Sequence, residues 1–202
     1  MSALVTEHFT LQSAASATVS EAAARASLYV FSLSNSLVAM GFASRSPETF
    51  RPFAAAVLPA VFVLGLFTII RLVDTGIQNQ QFLRGIARIR GYYRTLTPEA
   101  AVYFSAESGR WPEASAPAIW SGTLVAFLTT AASMIAFING IVAGTGVTLL
   151  AYSLLGADRI GFAVCLGVGA TVVLMAVFLV YQRWRYRSAE AARPREEPEP
   201  RH

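Results

Sequence analysis

Three stretches of the chain carry no charged residue over the length of a bilayer crossing, which leaves few folds open to it. Residues 26–44 lie between Arg25 and Arg45, residues 52–70 between Arg51 and Arg71, and residues 160–182 between Arg159 and Arg183. A hydrocarbon core about 30 Å thick needs about 20 helical residues at about 1.5 Å each, so each run matches one crossing. Backbone N–H and C=O groups find no water in lipid, and a helix satisfies them within one segment. Composition agrees: the 202 residues are 54% hydrophobic and 14% charged, with a mean hydropathy of +0.50. A soluble domain carries about 25% charged residues. The expected fold is all-α, a polytopic membrane protein with four transmembrane helices, a long N-terminal helix and a helical cytoplasmic loop.

The fourth crossing is the one that needs argument. Residues 114–157 hold no charge, a length that fits one long helix or two crossings. Basic residues concentrate on the cytoplasmic side of a membrane protein. With one helix in the long run, thirteen of the sixteen arginines fall inside and only Arg45, Arg51 and Arg159 outside. Two crossings would carry Arg183, Arg185 and Arg187 to the outside, against that rule. The reading is therefore a cytoplasmic N-terminal helix (1–25), TM1 (26–44), an external loop (45–51), TM2 (52–73), a cytoplasmic helical loop (74–120), TM3 (121–151), an external turn (152–159), TM4 (160–182) and a cytoplasmic disordered tail (183–202). Both termini lie in the cytoplasm of a bacterial cell, and the protein is a multi-pass protein of its plasma membrane. TM3 is either tilted or kinked near Gly140, Gly144 and Gly146. A signal peptide is the weaker reading of the first run, because Ser32, Ser34, Asn35 and Ser36 interrupt it.

Those polar residues shape the expected packing. Ser32, Asn35, Ser36, Ala39 and Ala43 recur at helical spacing and should face other helices, with Val30, Leu33, Leu37 and Met40 toward lipid. Asn139 lies near mid-depth of TM3, and an amide in lipid needs a partner, so Asn35 and Asn139 are expected in the bundle interior, through each other, a carbonyl or water. The bland alternative is a bond from each amide to its own helix. Gly140 and Gly144 form a GxxxG pair, and Ala163, Gly167 and Thr171 a ladder of small residues. Both suit close helix packing, within the chain or between subunits of a homo-oligomer.

Outside the lipid, residues 2–25 contain no Pro or Gly and should run into TM1 as one helix packed on protein. Ser46-Pro47-Glu48 supplies an N-cap, a first-turn proline and an acidic first turn for TM2, and Thr97-Pro98-Glu99 repeats the device. Phe82, Ile86, Ile89 and Tyr93 form an apolar stripe, with Arg84, Arg88, Arg90 and Arg94 off it. The arginines either bind anionic lipids or a partner, or only enforce topology. Trp111 and Trp120 are expected interfacial anchors, and the Pro-rich stretch 193–202 is expected to be disordered.

Catalytic chemistry has little footing. The only histidines are His8 and His202, the only cysteine is Cys165, and neither HExxH, GxSxG, a Walker loop nor CxxC occurs. No enzymatic activity, metal, cofactor or nucleic-acid partner is expected. With no acidic residue in the spans, a proton-coupled transporter is also disfavoured. Two readings remain: a structural or regulatory module that binds a partner or its own copies, and an oligomeric pore or membrane-acting stress effector lined by Ser32, Asn35 and Ser36.

The segments Glu7-His8-Phe9-Thr10-Leu11-Gln12, Ser34-Asn35-Ser36-Leu37, Arg88-Ile89-Arg90-Gly91-Tyr92-Tyr93 and Thr97-Pro98-Glu99 resemble an uncharacterised family of actinobacterial four-span membrane proteins. The resemblance implies the same topology, and no activity or site residue.

Overall fold

Ser46-Pro47-Glu48 starts a helix where its chemistry demands one. The Ser46 carbonyl accepts the first helical bond from the Phe50 N–H at 2.9 Å, and α2 runs unbroken over Pro47–Leu96. Pro52 and Pro59 lie inside α2 without ending it. The computed structural model describes residues 2–96, 99 and 130–192. Among these it contains four α-helices: α1 (Ser2–Ala43), α2, α3 (Ala131–Leu155) and α4 (Ile160–Ala191), with a 3₁₀ turn at Ala157–Arg159. All four are long and apolar enough to cross a membrane. The protein is an all-α, multi-pass membrane protein.

Two helices run past the bounds expected for them. The helix that carries TM3 runs on to Leu155, past residue 151, because residues 151–155 remain uncharged and helical until Gly156 ends the helix at φ 83°. That is a backbone conformation glycine adopts without penalty. Helix α3 is continuous through Gly140, Gly144 and Gly146. The segment from residue 183, expected to be a disordered tail, is helical to Ala191. Tyr186 and Ala189 pack on the core there, and Arg185 and Glu190 reach side chains of α2. The start of TM3, Pro98, Trp111, Trp120 and the stretch 193–202 lie outside the described residues.

The helices α1 and α2 are far longer than a crossing requires. At 42 and 50 residues they extend roughly 63 and 75 Å. Residues 2–25 do continue into TM1 as one helix, and the basic helix does continue TM2. The apolar stripe predicted on it is its packed face, with Ile86 and Ile89 buried and Phe82 and Tyr93 half-buried.

Packing runs in a row. Helix α1 lies antiparallel along α2, α2 along α3 and α3 along α4, whereas α1 and α4 make no close approach among the described residues. The core therefore sits on α2 and α3, where Val61, Ile69, Leu72 and Val73 meet Ile135, Ala136 and Val142. The apolar faces of α1 and α4 stay exposed, Phe31 and Val180 among them. Large exposed apolar surface is what lipid covers.

Candidate functional site

Three glycines make α2 the element against which the other helices close. A Cβ added at Gly65 would collide with the Asn139 amide of α3. At Gly76 it would lie 2.6 Å from the Tyr186 hydroxyl of α4, and at Gly85 it would lie 2.8 Å from Leu11 of α1. Each missing side chain admits a group from a different helix.

The deepest polar contact sits over Gly65. Asn139 is 3% exposed and Tyr29 fully buried. The Tyr29 hydroxyl donates to Asn139 Oδ1 at 3.1 Å, and Asn139 Nδ2 donates to the Phe62 carbonyl at 3.2 Å. One amide thus ties α1, α2 and α3 together. The Phe62 carbonyl can accept it because a carbonyl oxygen has two lone pairs and a helical bond uses one.

Of the partners expected for Asn139, the structure supplies a carbonyl, that of Phe62, and not Asn35, which does not lie in the bundle interior. Asn35 is exposed, while Ser32 and Ser36 are half-buried, and the Ser36 hydroxyl donates to the Ser32 carbonyl at 2.8 Å. The packed face of α1 instead follows Ala15, Thr18, Ala22, Ala26, Tyr29 and Leu33. It runs between the two stripes read from the sequence, so Leu33, assigned to lipid, packs on the core. An aromatic ring hides the hydroxyl of Tyr29 in a hydropathy pattern; its place on the 3/4 spacing from Ala15 was the available signal.

The small residues of TM3 and TM4 do meet within the chain. A Cβ at Gly144 would stand 2.5 Å from the Gly167 carbonyl, and one at Gly167 would stand 2.5 Å from the Gly144 carbonyl. Ala163 is fully buried. The Thr171 hydroxyl lies 3.0 Å from the Gly140 carbonyl and 3.1 Å from that of Gly167.

Toward the end that bears residue 2, the contacts become ionic. Glu21 of α1 accepts two bonds from Arg71 of α2, at 2.8 and 3.1 Å, and a third from Arg25 at 2.9 Å. The Arg71 hydrogen bond, helped by that from Arg25, holds the Glu21 carboxyl well below the usual range, at about 2. Thr18 donates to Asn79 Oδ1 at 3.2 Å, and Arg185 of α4 pairs with Asp74 of α2 at 2.5 Å. Apart from the one-turn Arg25–Glu21 pair, these pairings join residues at least 50 positions apart, and none of them was read from the sequence.

The four arginines proposed for lipid or partner binding are largely engaged. Arg84 pairs with Glu190 at 3.4 Å, Arg88 and Arg90 each have a partner, and Arg94 is half-buried with its Nε unpaired. Among the described residues no three His, Cys, Asp or Glu side chains lie close enough to hold a metal ion. The chain matches no protein-family model, no curated protein and no solved structure.

Proposed function

We propose that the protein is a structural or regulatory membrane module that binds a partner through a helical stalk. The observation behind this reading is the stalk itself: residues 2–25 of α1, 74–96 of α2 and 183–191 of α4 extend past the apolar segments as one packed unit. Leu11 on Gly85, Thr18 on Asn79 and Arg84 on Glu190 hold it together. Its outer side carries exposed Val5, Phe9 and Val19. Phe9 stands among Thr6, Thr10, Ser13 and Ala17, a ridge of small residues that another helix can approach closely. The arginine distribution supports a cytoplasmic stalk, hence cytoplasmic termini, in a bacterial plasma membrane.

A photo-crosslinking residue placed at Phe9 or Val19 in cells tests the reading. Discrete protein adducts are expected there, and they should vanish when Val5 is changed to Glu. The same probe at Leu154, near the opposite end of α3, should give none of these adducts. Absence of protein adducts from every stalk position would defeat the proposal.

One observation favours a second reading, an oligomeric pore or membrane-acting effector. Asn35 is exposed midway along the apolar half of α1, where an amide facing lipid is costly. Ion flux through liposomes that disappears on Asn35→Leu would support the pore, and a monomer without flux would eliminate it.

A further inference from the structure

Between the first half of α2 and the second half of α3 lies a groove of about 760 Å³. It exists because small residues face each other where larger ones would have closed the helices: Ala54 and Ala55 on α2, Ala143 and Gly146 on α3. Its walls are Leu58, Phe62, Val142 and Leu150, and its lining is overwhelmingly apolar. The exposed residues Ala55, Pro59, Val147 and Leu150 form a rim that opens sideways, as a lipid-facing groove must. The inner end stops at Phe62, whose carbonyl is bonded by Asn139. At the outer end stand Arg51, Tyr152 and Ser153.

Length and charge together select the occupant. From Arg51 to Phe62 the helix rises roughly 17 Å, close to half of a hydrocarbon core of about 30 Å. The groove therefore spans one leaflet, from headgroup level to the midplane. Arg51 is exposed and has no ion-pair partner among the described residues, although Glu48 lies one turn before it. Arg45, Arg51 and Arg159 outnumber Glu48 and Asp158 at this end. An arginine fork suits a phosphate diester, and the Tyr152 hydroxyl adds a donor beside it, while the Ser153 hydroxyl is spent on the Leu150 carbonyl at 2.8 Å.

We propose that this groove binds an anionic phospholipid of the surrounding bilayer, with one acyl chain between α2 and α3 and the phosphate on Arg51. The site is separate from the stalk and from Arg84, Arg88, Arg90 and Arg94, and it does not depend on the partner-binding reading.

Native mass spectrometry of the full chain in mild detergent tests this, with phosphatidylglycerol and phosphatidylcholine of matched chain length added in equal amounts. The phosphatidylglycerol adduct should exceed the phosphatidylcholine adduct about fivefold, the preference one arginine near an anionic headgroup confers. Arg51→Gln should bring the ratio near unity, while Arg187→Gln, an exposed residue near the end of α4, leaves it unchanged. Ala143→Phe should remove both adducts by filling the groove. Gly146→Leu is the second filling variant, because a Cβ there meets only Leu58, at 3.9 Å. Thermal midpoints confirm that each variant is folded. Equal binding of the two lipids, a ratio indifferent to Arg51→Gln, adducts that survive both filling variants, or a dimer cross-linked through cysteines at Ala55 and Tyr152 would each overturn the proposal.

Discussion

Asn139 must satisfy an oxygen and an NH₂ group at a depth where lipid offers no partner. Tyr29 and the Phe62 carbonyl meet that demand. An interhelical hydrogen bond in a membrane contributes about 0.6 kcal/mol on average and up to about 1.7. Tyr29→Phe should cost an amount in that range. Gly65→Val should cost more, about 1–3 kcal/mol for overpacking, because the new side chain displaces the amide and takes both bonds with it. Unfolding in mixed micelles measures both, and a Gly65 variant more stable than Tyr29→Phe would refute the arrangement. The need for a partner at Asn139 was legible in the sequence. Its identity was not, because Tyr29 lies 110 positions away and nothing local marks the pair.

Glu21 makes a second residue-scale prediction. Its carboxyl titrates near 2, against an ordinary value of 4.5, because Arg71 and Arg25 bond the charged form. A depressed carboxylate binds fewer protons in the folded state, so its stabilisation is complete above 4.5 and disappears as pH falls through about 2. The side chain is one-third exposed, so solvent screens the cluster. The unfolding midpoint of Glu21→Gln should fall below wild type at neutral pH, and the gap should close on acidification across that window. A gap independent of pH would mean that the Arg71 pairing contributes nothing.

Among the elements, α2 and α4 follow most directly from the sequence, since charges bracket their apolar runs. Helix α3 was harder. An uncharged stretch gives hydropathy no edge to detect, and only Gly156, with its positive φ, marks where the helix stops. The three glycines in α3 suggested a kink, but two of them serve α4 instead. Gly140 and Gly144 let the Thr171 and Gly167 backbone come close, and α3 is continuous through them. Gly144→Leu should therefore pry α3 from α4 and lower the unfolding midpoint by more than Gly169→Leu, whose Cβ meets nothing within 4 Å. Equal effects would place the small-residue contact elsewhere.

For the whole molecule, four crossings could be read from arginine positions, but the order of neighbours could not. Hydropathy separates lipid-facing from buried residues only weakly when both are apolar. The face of α1 was only partly read for that reason: Ser32, Ser36, Ala39 and Ala43 are half-buried, but Asn35 is exposed, and Tyr29 and Leu33 carry the contact with the core. The row of helices divides into two hairpins, α1 with α2 and α3 with α4, each closed by contacts among its own members. Thr18 to Asn79, Glu21 to Arg71 and Leu11 on Gly85 need nothing from the second hairpin; Gly144 against Gly167 needs nothing from the first. The Asn139 bridge, by contrast, requires both. During synthesis the first hairpin can thus form while the rest of the chain is still unmade, leaving Gly65 as an empty seat. The later hairpin fills that seat, and its arrival there completes the assembly.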